Sequence, residues 1–339
     1  MKTNARSNKK RLAKANRFEK ILVSSLTLFG FVSFAAFGAG YISILPLLQE
    51  PTATPAVSVA NDASTTPAGP NAYAHISLIG KAAIVYDLRT GQTLYAQNAE
   101  TALPLASITK LLTLYAAADA LQPSTIITMS SSSVAETNDA ADAGFTQGET
   151  FAFEDLGRLT LAASSNNGAE AIAEAATAAP QSHTTNTTSL LAGATAAIGL
   201  TQTHATNGTG LDVNTQIAGG YGSAKDIALL AGALLKKAPL IAQATTLPRV
   251  SITSLQGITH TFANTDIDVT RIPNPLLSKT GYTDLAGGNL VIVYDAGINH
   301  PVAIVVLGST QSGRFVDVQQ LMSATLAHFA GTTPPLASS

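Results

Sequence analysis

The chain has 339 residues, a formal net charge of −2, 12% charged against 46% hydrophobic residues, and no Cys or Trp. The missing cysteines exclude a disulfide-stapled scaffold, a Cys-ligated zinc or iron–sulfur protein and a thiol enzyme. The charge balance excludes a basic nucleic-acid binder, and the apolar content supports one or two domains with a real core rather than a disordered chain.

The near-neutral total divides sharply along the chain. Lys2, Arg6, Lys9, Lys10, Arg11, Lys14, Arg17 and Lys20, against the single acid Glu19, give residues 1–20 a charge of +7 and leave −9 on the remainder. Ile21 to Leu48 then runs for twenty-eight residues without a charge. About 20 apolar residues in a helix cross roughly 30 Å of hydrocarbon, so residues 21–48 are predicted to be a transmembrane anchor. Small residues around Ala35 to Gly40 leave signal cleavage open, although a cleaved leader has a shorter apolar core, of about 7–15 residues. Basic residues before the run and none close after it place residues 1–20 in the cytoplasm and the rest outside the cell membrane. Residues 49–72, rich in Pro, Thr and Ser, read as an extended tether. Residues 73–330 read as one folded unit, and 331–339 as a frayed tail.

Within that unit, Ala82 to Asp87 and Gln92 to Ala96 are strand-like and joined at Leu88-Arg89-Thr90-Gly91, a hairpin signal with glycine for the turn. Ala- and Leu-rich stretches with helical spacing follow at Ser107 to Leu121, Phe153 to Ala178 and Ala224 to Lys237. Asn289 to Asp295 and Val302 to Gly308 form a second strand pair. Phe315, Val318, Met322, Leu326 and Phe329 step by three and four, the face of a helix packed on a sheet. Strands at both ends with helices between them predict an α+β unit, with one sheet assembled from distant parts of the chain and a helical insert.

The six histidines show no HExxH or other ligand spacing and read as surface or loop residues; no metal or other cofactor is implied. There is no GxSxG elbow and no phosphate loop. A Ser-His-Asp triad stays open, because its members need not be neighbours in sequence. A different activated serine is more visible. Ser107-Ile108-Thr109-Lys110 opens an apolar helix, so Ser107 sits near its N-terminus and Lys110 projects one turn later on the same face. A desolvated lysine near another cation loses its proton readily, and a neutral amine can then deprotonate the serine. Ser7-Asn8-Lys9-Lys10 shows the same spacing in the basic tail, so SxxK alone carries little. Two further elements add weight: Ser164-Ser165-Asn166 between helical stretches, and Lys279-Thr280-Gly281 at the end of a strand-like run.

The ordered set SxxK, SxN, KTG is the signature of penicillin-binding proteins and serine β-lactamases. With AAIVYDLRTGQTLYAQNAE, GFTQGETFAFEDL, THATNGTGLD, YGSAKDIALLA and KTGYTDLAGGNLV around it, residues 76–330 resemble the D-alanyl-D-alanine carboxypeptidases, the low-molecular-mass penicillin-binding proteins. The resemblance implies the penicillin-recognising serine hydrolase fold, an antiparallel sheet flanked by helices plus an all-helical subdomain, with the site in the cleft between them. It implies peptidoglycan stem peptides ending in D-Ala-D-Ala as substrates and β-lactams as covalent inhibitors.

Carried over by position, Ser107 is the nucleophile and Lys110 its general base, with Lys279 as the cation that keeps Lys110 neutral. Ser164 relays a proton to the leaving D-Ala, and Asn166 bonds the acyl-side amide. Thr280 binds the terminal carboxylate, assisted by Arg314, and Gly281 lets the peptide lie along the strand edge. The backbone N–H groups of Ser107 and Tyr282 form the oxyanion hole. Three departures are visible. Asn167-Gly168 replaces the family's Asp-Ala and is expected to loosen the loop, Leu191-Ala192 stands where many relatives have Met-Asn, and no β-rich second domain follows. A β-lactamase or D,D-endopeptidase on the same fold, and a non-catalytic binder of wall peptides, are the alternative functions. No Glu stands in the ExxLN-like context that fast deacylation in class A β-lactamases requires.

Overall fold

A computed structural model describes residues 71–136 and 144–332. The chain divides into two compact units, Met1–Ala63 and Ser64–Ser339, and all described residues belong to the second. The basic tail, the expected anchor at 21–48, most of the tether and all but the first two residues of the expected tail lie outside them. Among the described residues no helix is long and apolar enough to cross a membrane.

The first half of the unit contains strands β1 (Ala82–Asp87), β2 (Thr93–Gln97) and β3 (Leu103–Pro104), helix α1 (Thr109–Ala120), strand β4 (Ile126–Thr128), helix α2 (Ser131–Ala135), strand β5 (Thr150–Ala152), and helices α3 (Phe153–Ala162), α4 (Asn166–Ala178) and α5 (Thr187–Ile198). The second half contains β6 (His204–Ala205), β7 (Gly220–Gly222), α6 (Ala224–Lys237), α7 (Pro239–Ala244), β8 (Arg249–Thr253), β9 (Thr259–Ala263), β10 (Pro275–Thr283), β11 (Gly287–Asp295), β12 (Pro301–Ser309) and α8 (Gly313–Ala330).

Five of the strands form one antiparallel sheet in the order β10-β11-β12-β1-β2. The two ends of the unit therefore meet, with Ala82 opposite Leu307 and Asp87 opposite Val302. Successive side chains in a strand point to opposite faces, and both faces are covered here. Ile84, Val291, Val293, Ala303 and Val305 join the core shared with α1, α3 and α6. Val85, Ile292, Tyr294, Val302 and Ile304 join a second core against α8. This two-sided burial explains why the central strands read as continuous apolar runs rather than alternating ones. The fold is the α+β arrangement expected, an antiparallel sheet with helices on both faces and a group of helices between β3 and β10.

One local expectation holds in detail and two change. The stretch Phe153 to Ala178 divides into α3 and α4 on either side of the Ser164 motif, as its place between helical stretches implied. Ser164 between them has φ +60°, and Ser165 caps α4 by accepting a bond from the Gly168 N–H at 3.0 Å. A hydroxyl at that position satisfies one of the amides a helix start leaves unpaired. The KTG triplet lies within β10, which continues to Thr283. On α8 the buried line runs through Val318, Leu321, Ala324 and Ala327, while Leu326 and Phe329 are exposed, so the stripe expected to face the sheet turns away from it near the C-terminus.

Candidate active site

Ser107 sits in a single 3-10 turn, Ala106–Ile108, immediately before α1 rather than inside it. Ala106 holds φ +49°, a left-handed conformation that costs an alanine on the order of 1–2 kcal/mol. Neighbouring groups impose it. From β11, the buried Asn289 donates to the carbonyls of Pro104 and Leu105, both at 3.0 Å, and accepts from the Gly308 N–H at 2.7 Å. The Leu105 N–H donates to the Gly220 carbonyl at 2.9 Å.

Gly281 closes the other side of this turn. A Cβ there would lie 2.7 Å from the Leu105 carbonyl oxygen and 3.1 Å from Ile108 Cγ1. The room a side chain would need is thus occupied by the Ser107 turn itself. The Tyr282 side chain, next along β10, is exposed.

Lys110, in the first turn of α1, is fully buried. Its Nζ lies 2.8 Å from Ser107 Oγ, 2.8 Å from Asn166 Oδ1 and 2.7 Å from the Thr209 carbonyl oxygen. An amide oxygen and a carbonyl can only accept, so these two partners fix two of the amine's N–H bonds. The remaining direction faces the serine hydroxyl. In the neutral amine that direction holds the lone pair. Burial is the main reason the Lys110 ammonium titrates low, at about 7, and the Glu136 carboxylate partly opposes it.

A second lysine centre adjoins the first through the Ser164–Asn166 segment. Lys279 Nζ donates to Ser164 Oγ and to the Thr280 carbonyl, both at 2.8 Å. Burial, then the positive charges of Lys110 and Arg314, hold its ammonium well below the ordinary lysine value, with Asp266 opposing. Burial is the first cause at both amines, and the repulsion between Lys110 and Lys279 is mutual, so each disfavours the charged form of the other. Arg314, also buried, donates from Nη1 to the Gly281 carbonyl at 2.8 Å, so it braces the KTG strand at the end nearest Ser107.

The middle motif falls in one register. Ser164 and Asn166 enter the two lysine centres, whereas Ser165 caps α4 and Asn167 points elsewhere. Asn167 Nδ2 donates to the carbonyls of Ser133, Val134 and Glu136 at 3.1, 3.1 and 3.3 Å. Asn167 thus ties α2 to the site, and a Cβ at Gly168 would come within 2.2 Å of Thr160 Oγ1. The Asn-Gly pair draws the loop in rather than loosening it.

Two features were not read from the sequence. The Thr209 carbonyl reaches Lys110 because Asn207 Oδ1 accepts from the Gly210 N–H at 2.7 Å and from Thr209 Oγ1 at 3.1 Å, folding NGTGLD into a tight loop. A side-chain oxygen bonding backbone two or three residues ahead is the signal that marks such a turn. His260 is buried, not superficial, with Nε2 at 2.7 Å from Glu149 Oε1. His300 pairs in the same way with Asp87 at 2.7 Å. Both of these imidazoles engage a carboxylate, and the amine beside Ser107 is that of Lys110.

A family model described as D-alanyl-D-alanine carboxypeptidase matches residues 68–311. The chain belongs to this family. Its activity is that of a serine-type D-alanyl-D-alanine carboxypeptidase. No curated protein sequence matches it. Among solved structures, the carboxypeptidase is similar to penicillin-binding protein D2 of Listeria monocytogenes in its ampicillin-bound form. Identity is 25% and the TM-score 0.61, over 73% of this chain and 97% of that one. It shares its fold with a D-alanyl-D-alanine carboxypeptidase of Mycobacterium tuberculosis, at 24% identity and TM-score 0.64 over 74% and 92% of the two chains. The same holds for the D-alanyl-D-alanine carboxypeptidase DacD of Francisella tularensis, at 22% identity and TM-score 0.66 over 75% and 72%.

Electrostatics at Lys110 give a direct expectation. Only the neutral amine can accept the serine proton, so acylation of Ser107 rises as pH passes through about 7. Removing the Glu136 carboxylate, which favours the charged amine, moves this acid limb to lower pH. The rate of labelling by a fluorescent penicillin across pH, for the unmodified chain and for Glu136→Gln, measures it. A limb that stays in place or moves up in the variant contradicts the assignment.

Proposed function

We propose that this carboxypeptidase cleaves the terminal D-alanine from peptidoglycan stem peptides through an acyl-enzyme on Ser107, and that residues 21–48 anchor it in the cell membrane with the catalytic unit outside. The observation that carries the catalytic part is the Lys110 amine, whose two N–H bonds are committed to Asn166 and Thr209 while its third direction meets Ser107 Oγ at 2.8 Å.

Ser107 Oγ attacks the carbonyl carbon of the penultimate D-Ala and passes its proton to Lys110 Nζ. The backbone N–H groups of Ser107 and Tyr282 stabilise the resulting oxyanion. As the C–N bond breaks, Lys110 gives up that proton, which reaches the departing D-Ala nitrogen through the Ser164 hydroxyl held by Lys279 at 2.8 Å, and the amine is neutral again. Lys110 then takes a proton from water as it attacks the ester and returns it to Ser107 Oγ as the shortened peptide leaves. Among the described residues, outer strand β10 has a strand neighbour on one side only, so an extended peptide can add along its free edge. Asn166 meets the acyl-side amide, while Thr280, with Arg314 nearby, meets the terminal carboxylate. A β-lactam enters the same path and stays on Ser107; the Listeria monocytogenes relative was solved with ampicillin bound.

The test uses the full chain with a labelled penicillin and, separately, with a peptide ending in D-Ala-D-Ala. The unmodified protein takes the label and releases D-Ala, and Ser107→Ala does neither. Neither label nor D-Ala from the unmodified protein overturns the catalytic reading, and rapid turnover of the penicillin replaces it with a β-lactamase. For the anchor, the full chain stays with membranes through alkaline carbonate washing, whereas its release would refute that part alone.

A further inference from the structure

Thr280 Oγ1 lies 2.6 Å from Thr265 Oγ1 and donates its proton to it. That orientation is wrong for the task assigned to Thr280. A carboxylate can only accept hydrogen bonds, so the Thr280 O–H must leave Thr265 and turn toward the substrate. Thr280 is only 4% exposed, which leaves little room for water to fill the place vacated. Two hydroxyl oxygens at 2.6 Å with no proton between them repel. The Thr265 hydroxyl, which bonds no other group among the described residues, carries the proton that can replace the one withdrawn.

We propose that Thr265 is a positioning residue for carboxylate recognition, whose hydroxyl receives the Thr280 proton in the empty site and donates to Thr280 once the substrate carboxylate is bound. The inference rests on the reading that Thr280 contacts the terminal carboxylate. Each hydroxyl keeps its own proton throughout; only the direction of the bond between them reverses. A Thr280 oxygen that accepts from Thr265 while donating to an anion is polarised in the favourable sense, because hydrogen bonds in a chain strengthen one another.

The surrounding strap holds Thr265 where this requires. Its N–H donates to the Ala162 carbonyl at 3.1 Å, two residues before Ser164. On one side, Asn264 Nδ2 donates to the carbonyls of Thr245 and Leu247 at 2.6 and 3.0 Å. On the other, Asp266 accepts from Ser278 Oγ at 2.5 Å and from the Asp268 N–H at 2.9 Å. The strap therefore grips β10 at Ser278 and at Thr280, one residue to each side of Lys279, and registers the strand against the Ser164 turn.

The experiment compares, in the full chain, a peptide ending in a free D-Ala carboxylate with the same peptide ending in the amide. Thr265→Val keeps the shape and removes the hydroxyl. We expect it to lower the acid-to-amide ratio of kcat/KM about tenfold, mainly through KM for the acid, while Thr265→Ser keeps the original ratio. Equal losses on both peptides, or an unchanged ratio, overturn the proposal. Where Thr265→Val does not melt cooperatively, Thr265→Ala carries the same expectation. Thr280→Val separates the two levels. An unchanged ratio in that variant removes the underlying reading, whereas a lowered ratio there with none in Thr265→Val removes the positioning role alone.

Discussion

Lys110→Met is expected to leave a folded protein whose labelling by penicillin is about a thousandfold slower, the scale of a lost general base. Methionine matches the lysine stem in length and needs no charge in a fully buried site. Removal of the amine strands two acceptors, Asn166 Oδ1 and the Thr209 carbonyl, which contact it at 2.8 and 2.7 Å. An unpaired buried acceptor costs about 1–3 kcal/mol, offset in part because no ammonium has to be desolvated. Stability then changes by a few kcal/mol at most while the chemistry collapses. Timed labelling at neutral pH, with a thermal melt of the same sample, separates the two effects. Labelling near the original rate in a folded Lys110→Met protein would remove Lys110 from the mechanism.

The second large effect is expected at a residue with no side chain. Gly210 holds φ +77°, and a Cβ built on it would stand 2.0 Å from the Ala106 carbonyl oxygen and 2.7 Å from Thr109 Oγ1. Gly210→Ala therefore combines backbone strain with a collision against the nucleophile turn. Neither neighbour can yield cheaply, because Ala106 already sits at φ +49° and Gly281 presses the turn from the opposite side. The expected cost is about 2–4 kcal/mol of stability. A displacement of about 1 Å at Ser107 is enough to slow acylation roughly a hundredfold. Both should appear together, as a lowered melting temperature and slow penicillin labelling measured well below it. A variant that melts early yet labels at the full rate would show that the turn tolerates the shift.

What the sequence made legible follows a physical division. Strands β1, β11 and β12 announce themselves as β-branched runs because both of their faces are buried. The catalytic motifs announce themselves because lysine and serine at fixed spacing have few structural uses. Contacts made by backbone carbonyls or by common polar residues leave no such trace. The Thr209 carbonyl meets Lys110 across 99 residues of chain, and Asn289 reaches Leu105 across 184. Nothing local in NGTGLD or GGNLV says what the turned backbone or the amide will hold. Gly281 shows a third case, where the residue is conspicuous but its reason is not. Only the position of the Leu105 carbonyl reveals that the missing side chain makes room for the protein's own backbone. The break at Ser164 was legible as a motif between helices, but its left-handed backbone was not, since serine has no preference for that conformation.

Tyr73, at the start of the described chain, carries a consequence for how the enzyme bears mechanical load. Its hydroxyl donates to Thr325 Oγ1 on α8 at 3.1 Å, and its ring lies against Tyr95 and His328. The chain thus enters the fold on the α8 side of the sheet, the side away from the core that contains Leu105 and Ile108. A pull applied at Asn71 runs into the Tyr73 anchorage on the last helix and from there into the broad face of five strands. That load reaches β10 through the sheet and through Arg314 on α8, so the KTG strand shares it, while the Ser107 turn, held through Leu105 and Ile108, packs on the other face.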